Sequence, residues 1–127
     1  MSGAGGPAPG YAATMDHAVH DAVGLELGRR IAAGLREHPE WIDHARANLA
    51  RWRERNAHAA SLVRCYDEWT AILDGPVDEV VRILTAERDP ECARLRTNSP
   101  FVGIVPPREV EAIKREVRED RRGEVRR

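Results

Sequence analysis

RLRTNSPFVGIVPPREVEAIK, residues 94–114, is where the helical pattern of this chain breaks. Upstream, from residue 14, apolar side chains recur at helical spacing. Here a polar break, Thr97, Asn98 and Ser99, leads through Pro100 into a short apolar run, Phe101, Val102, Gly103, Ile104 and Val105. Pro106 and Pro107 then open a last, charged helix, because proline suits a first helical turn. Phe101 is the only phenylalanine in the chain. An apolar segment that carries it needs a cover, either its own helices or a partner. One such segment amid helices predicts an all-α fold: a bundle of about five or six helices with a short extended segment near 100–106. A lone strand there would find no pairing partner in its own chain, so the segment is expected as a covering loop or as an edge offered to another protein.

Downstream of the break, helix six is expected over 107–122, with Val110, Ile113 and Val117 inward and Gly123 ending it. Just upstream, Asp89 and Pro90 start a short fifth helix that carries Cys92 and Leu95. Helix four covers 76–87 and shows Val77, Val80, Val81 and Leu84. Before it, Gly75 stops one helix and Pro76 starts the next, which predicts a tight corner. Helices two (39–55) and three (57–74) repeat a 3-4-3 spacing, with Ile42, Ala45, Leu49 and Trp52 on one and Leu62, Cys65 or Tyr66, Trp69, and Ile72 or Leu73 on the other. Asn56 either separates them or lies inside one long rod. Helix one, 14–38, has Val19, Val23, Leu27, Ile31 and Leu35 in steps of four, with Thr14 or Asp16 as its cap and Pro39 as its stop. Its glycines Gly24, Gly28 and Gly34 either permit close packing or weaken the helix. Residues 1–13, rich in Gly, Ala and Pro and without charge, are expected as a disordered leader. The division is then leader 1–13, helical domain 14–122 and basic tail 123–127.

The 127 residues carry a formal net charge of −1, which gives no bulk attraction to a polyanion. The charge is uneven, however. Residues 46–64 hold five Arg against one Glu, and residues 65–91 hold eight acids against two Arg. Residues 114–127 hold seven bases and four acids. Basic and acidic helix faces that pair within the fold account for this, as does an acidic patch and a basic tail meeting different partners. No apolar run approaches the roughly 20 residues of a membrane span, so no membrane partner is expected. With no secretory signal pattern, the expected location is cytoplasmic. Cys65 and Cys92 match neither a redox nor a zinc spacing and are expected as buried free thiols.

A search for chemistry returns little. His17, His20 and Asp21 sit at i, i+3 and i+4, but nothing at comparable spacing completes a metal site. His38, His44 and His58 read as surface or capping residues. Glu-x-x-His, a phosphate-binding glycine loop and a serine nucleophile elbow are all absent from the sequence. No catalytic residue, metal site or cofactor is predicted. For nucleic acid, Arg46, Arg51, Arg53, Arg55 and Arg64 bracket Trp52 and could grip phosphates while a base stacks. A core tryptophan among snorkelling arginines explains the same pattern. The C-terminal helix interleaves its arginines with acids and reads first as a salt-laced surface.

The stretch RLR-x-x-SPF-x-G at 94–103, with the Trp69-x-x-x-Leu73 helix before it, resembles the C-terminal part of small uncharacterised bacterial all-helical proteins. Some of these are antitoxin-like partners in toxin–antitoxin pairs. The resemblance covers helices two to six and brings no catalytic residues with it. It implies a non-catalytic interaction module that docks a protein partner through Arg94, Arg96, Phe101, Val102, Ile104 and Arg108. Phe101 would be the aromatic anchor, with arginines pairing acids at the rim. A nucleic-acid-binding helical regulator, using the Arg46 to Arg64 belt and the last helix, is the alternative. A homodimer is admitted too, with helices two and three able to supply the seam.

Overall fold

The computed structural model describes residues 9–126, with side chains over 17–123. Six helices follow one another: α1 (Pro9–Leu35), α2 (Glu40–Arg55), α3 (Ala60–Asp74), α4 (Val77–Thr85), α5 (Pro90–Thr97) and α6 (Pro107–Arg126). No strand occurs among the described residues. The all-α class and the number of helices agree with the periodicity. α1 is the hub, packing along α4, α5 and α6. α2 lies on α3, and α4 links α3 to α5. None of the described helices is long and apolar enough to cross a membrane.

The helix ends follow from backbone chemistry, with corrections. α1 begins at Pro9, five residues before the expected start, so Thr14 and Asp16 lie inside the helix and not at its N-terminus. Proline at a first helical position, followed soon by alanines, favours this earlier start. The leader predicted over 1–13 is therefore helical from Pro9, and its first eight residues lie outside the described ones. At the other end α6 runs through Gly123 to Arg126. A glycine inside a helix costs only about 1 kcal/mol relative to alanine, which did not suffice to stop this one. The 123–127 tail is thus helix as far as it is described.

α2 and α3 are separate. Asn56 caps α2, its N–H reaching the Trp52 carbonyl at 2.8 Å, and its side-chain amide donates to that carbonyl and to the Tyr66 hydroxyl. Gly75 and Pro76 make the expected corner, although Pro76 is the N-cap of α4 and not its first residue. Asp89 caps α5: its carboxylate accepts from the backbone N–H of Glu91 at 2.9 Å and of Cys92 at 3.2 Å. Those hydrogen bonds, with Cys92 foremost, hold the Asp89 carboxyl below its usual range.

The core centres on Trp69, which is fully buried. Around it pack Ile31 and Leu35 of α1, Ala45 and Leu49 of α2, Leu73 of α3, and Ile83 and Leu84 of α4. Burying such side chains stabilises by about 1.5–3 kcal/mol each before entropy is subtracted. The indole N–H donates to the Leu95 carbonyl at 2.9 Å, so the one polar atom of Trp69 is satisfied. Cys65 and Cys92 are buried free thiols, as the spacing predicted, and burial pushes both pKa values up.

Candidate functional site

The 94–108 segment folds differently from an open docking edge. Residues 100–105 form consecutive turns, closed by a hydrogen bond from the Ile104 N–H to the Phe101 carbonyl at 3.2 Å, and not an extended strand. Gly103 sits at φ +95°, a conformation that favours glycine. α2 pins this turn from below. The Asn48 amide donates to the Pro100 carbonyl at 2.8 Å and to the Val102 carbonyl at 3.0 Å. The His44 ring meets the Val102 carbonyl at 2.7 Å through Nε2. Asn48 is itself buried and receives Arg51 on its side-chain oxygen. Neither Asn48 nor His44 stood out in the sequence as an anchor of this turn. The available signal was a polar residue on the buried stripe of Ala45 and Leu49, which must find hydrogen-bond partners.

Phe101 is 2 % exposed and meets Trp69 edge-on, with ring centroids 6.2 Å apart at 80°. Its ring belongs to the core, so it offers no protruding anchor, and that part of the docking set is corrected. Arg94 is spent on acids at the surface, pairing Glu68 of α3 and Glu91, each at 2.7 Å. This hydrogen bonding holds the Glu68 carboxyl below its usual range. Arg96 is buried. Val102, at 62 % exposure, Arg108 and the acid-paired Arg94 are exposed, while Ile104 is half-buried against the core. The six residues do not form one exposed face.

Three of the five arginines of the belt are engaged within the fold. Arg46 pairs Asp74 at 2.6 Å and donates to the Leu73 carbonyl, and Arg53 pairs Asp67 at 2.9 Å. Arg51 serves Asn48. Arg55 and Arg64 are exposed. Trp52 is half-buried, packs on the core and lies 5.9 Å from the Tyr66 ring. The basic stretch thus pairs with the acidic stretch that follows it, as one of the two charge readings anticipated.

A different site comes together on the other side of the 94–108 segment. A cavity of about 610 Å³ opens between α1, α5, the turn and α6. α1 contributes one stripe to it, His17, His20, Asp21, Gly24, Leu27, Gly28 and Ile31, which are three and four residues apart and share a face. Ala93, Arg96 and Thr97 of α5 repeat that spacing, and Val110 and Lys114 of α6 do so across one turn. Ser99, Phe101, Val102 and Val105 form the wall built by the turn. Three of the residues proposed for docking, Arg96, Phe101 and Val102, therefore line this cavity.

Two glycines on α1 explain its position. At Gly28 a Cβ would lie 2.2 Å from the Leu84 carbonyl oxygen, so α1 rests directly on the backbone of α4. One turn earlier, at Gly24, a Cβ would meet nothing within 4 Å. α1 is therefore clamped at one glycine and gapes at the other. Arg30, paired with Glu109, ties α1 to α6 beside the gap. His17, His20 and Asp21 stand exposed at its mouth. Among the described residues no group of three or more His, Cys, Asp or Glu is placed to hold a metal ion. No protein-family model matches the chain, and neither a curated protein nor a solved structure matches it.

Proposed function

We propose that this protein is a non-catalytic binding module whose recognition site is the cavity beneath residues 94–108, and that its guest is a compact apolar molecule. The observation that carries this reading is the cavity itself. Its volume of about 610 Å³ falls in the range of roughly 300–1,000 Å³ usual for small-molecule sites. Its apolar walls are Leu27, Ile31, Leu84, Phe101, Val105 and Val110, and polar side chains, Arg96, Ser99 and Lys114 among them, complete the lining. A guest of matching shape would displace water from these apolar walls and bury its own hydrocarbon surface against them.

The test uses two eight-carbon probes, 1-octanol and octanoate, followed by methyl NMR. Binding of either should shift the methyl signals of Leu27, Ile31 and Val110. In Gly24→Leu the new side chain enters the open space and both probes should lose their effect. If neither probe shifts those methyls in the wild-type protein, the reading is wrong.

The exposure of Val102 beside the cavity favours one second reading, a protein partner of the antitoxin type. Such a partner would rest on Val102 and Arg108 and insert an apolar side chain into the cavity. Phe101 would form the wall it meets. A partner that protects Val102 and Arg108 from hydrogen exchange or labelling would support this reading, and protection confined to other surfaces would remove it.

A further inference from the structure

The cavity has a chemical polarity as well as a volume. Arg96 is 7 % exposed and lines it. Its Nη1 donates to the Ile83 carbonyl at 2.7 Å and to the Ala86 carbonyl at 3.0 Å, which closes the C-terminal end of α4. Its Nε is buried without any hydrogen-bond partner. Among the described residues no carboxylate pairs with the guanidinium. A helix end can be capped by a neutral group, so capping alone does not call for a buried positive charge. Such a charge left unpaired is expensive and calls for a counter-ion. Arg94, two residues earlier on α5, is by contrast exposed and pairs Glu68 and Glu91.

Two neighbours complete the picture. Ser99 accepts the Phe101 N–H on its oxygen at 3.3 Å, which leaves the hydroxyl hydrogen free to donate. Lys114, also on the lining, adds a second cation, with Glu111 on its own helix 3.5 Å away. Asp21 is the one acid on the lining, and it stands exposed on α1 next to His17 and His20.

Resting on the cavity reading above, we infer that the guest is a small apolar carboxylate, its hydrocarbon part against Leu27, Ile31 and Val110 and its carboxylate on Arg96. A carboxylate accepts from a guanidinium edge and a hydroxyl together. A neutral guest can at most accept an N–H of Arg96 and leaves the buried charge unbalanced, and an amine would add a second buried positive charge. A phosphate or other dianion asks for more donors than this chiefly aliphatic wall supplies.

The experiment ranks three probes of equal tail length, octanoate, 1-octanol and octylamine, by titration calorimetry and methyl NMR on the full chain. Octanoate should bind at least about tenfold tighter than octanol, the usual worth of a charge-assisted hydrogen bond, with octylamine weakest. In Arg96→Gln that preference should collapse while the shifts at Leu27 and Ile31 persist with octanol. Should Arg96→Gln fail to fold, the wild-type ranking decides alone. Octanoate no tighter than octanol would overturn the carboxylate inference and leave the cavity reading standing. No binding by any probe would overturn both. Octanoate binding that survives Gly24→Leu would place the anion elsewhere and overturn the inference as well.

Discussion

Two stretches of α1, one turn apart, make opposite use of the same small residue. At Gly28 the helix is pressed onto the backbone of α4 at Leu84, and beyond it Leu35 enters the filled core with Trp69. Around Gly24 the same helix faces a void. In both places a glycine removes a side chain from the inward face. At Gly28 the missing side chain lets two backbones touch, and at Gly24 it leaves space unfilled. A small residue on an apolar stripe therefore has no meaning until the opposing surface is known.

That contrast can be broken most severely at its closed end. Phe101→Asp should unfold the protein, since a carboxylate would replace a ring packed on Trp69, and Phe101→Ala should cost about 3–5 kcal/mol in urea denaturation. A loss within about 1 kcal/mol would return Phe101 to the surface and undo the contrast. Next in size is Gly28→Ala. Alanine gains helix propensity of about 1 kcal/mol, but its methyl would collide with the Leu84 carbonyl. We expect a net loss of about 1–3 kcal/mol from the forced separation of α1 and α4.

A smaller effect separates the two regions by way of α5, which sends Leu95 into the core and Arg96 to the cavity. Asp89→Ala removes the N-cap of α5 and should lower the melting temperature at neutral pH. The Asp89 carboxyl is held below its ordinary range by the backbone N–H groups it accepts from. Its contribution is thus present above about pH 4, the ordinary carboxylate pKa, and lost as pH falls through the lower folded value. The difference between wild type and variant should therefore narrow on acidification; a gap independent of pH would show that the capping carboxylate is not its source. The gentlest change is Gly24→Ala, which meets no neighbour and should stabilise by about 0.5–1 kcal/mol. A loss there, comparable to that of Gly28→Ala, would mean that the gap at Gly24 is closed in solution.

Much of the architecture was legible residue by residue. The pairs Gly75 with Pro76 and Asp89 with Pro90 placed two helix boundaries, because proline and glycine act on their own φ and ψ whatever surrounds them. The 3-4 spacing of Leu49, Trp69 and Leu84 identified their inward faces. The misplaced ends, Pro9 and Gly123, lie where propensity differences of about 1 kcal/mol or less decide. The site was less legible. Arg94 and Arg96 are two residues apart in one motif, yet one pairs acids at the surface and the other is buried against the end of α4. Asn48 and His44, which pin the turn, are distant in sequence from Pro100 and Val102.

By itself, then, the sequence determined that the chain is helical, roughly where each helix breaks, and that an apolar turn near Phe101 needs a cover. Those are local properties, set by backbone sterics, caps and the 3.6-residue period. Only the tertiary structure decided that the cover is Trp69, that α1 is clamped at Gly28 and open at Gly24, and that Arg96 sits buried beside the gap. Burial and pairing depend on which surfaces meet across the bundle, and no pattern within a single helix carries that information.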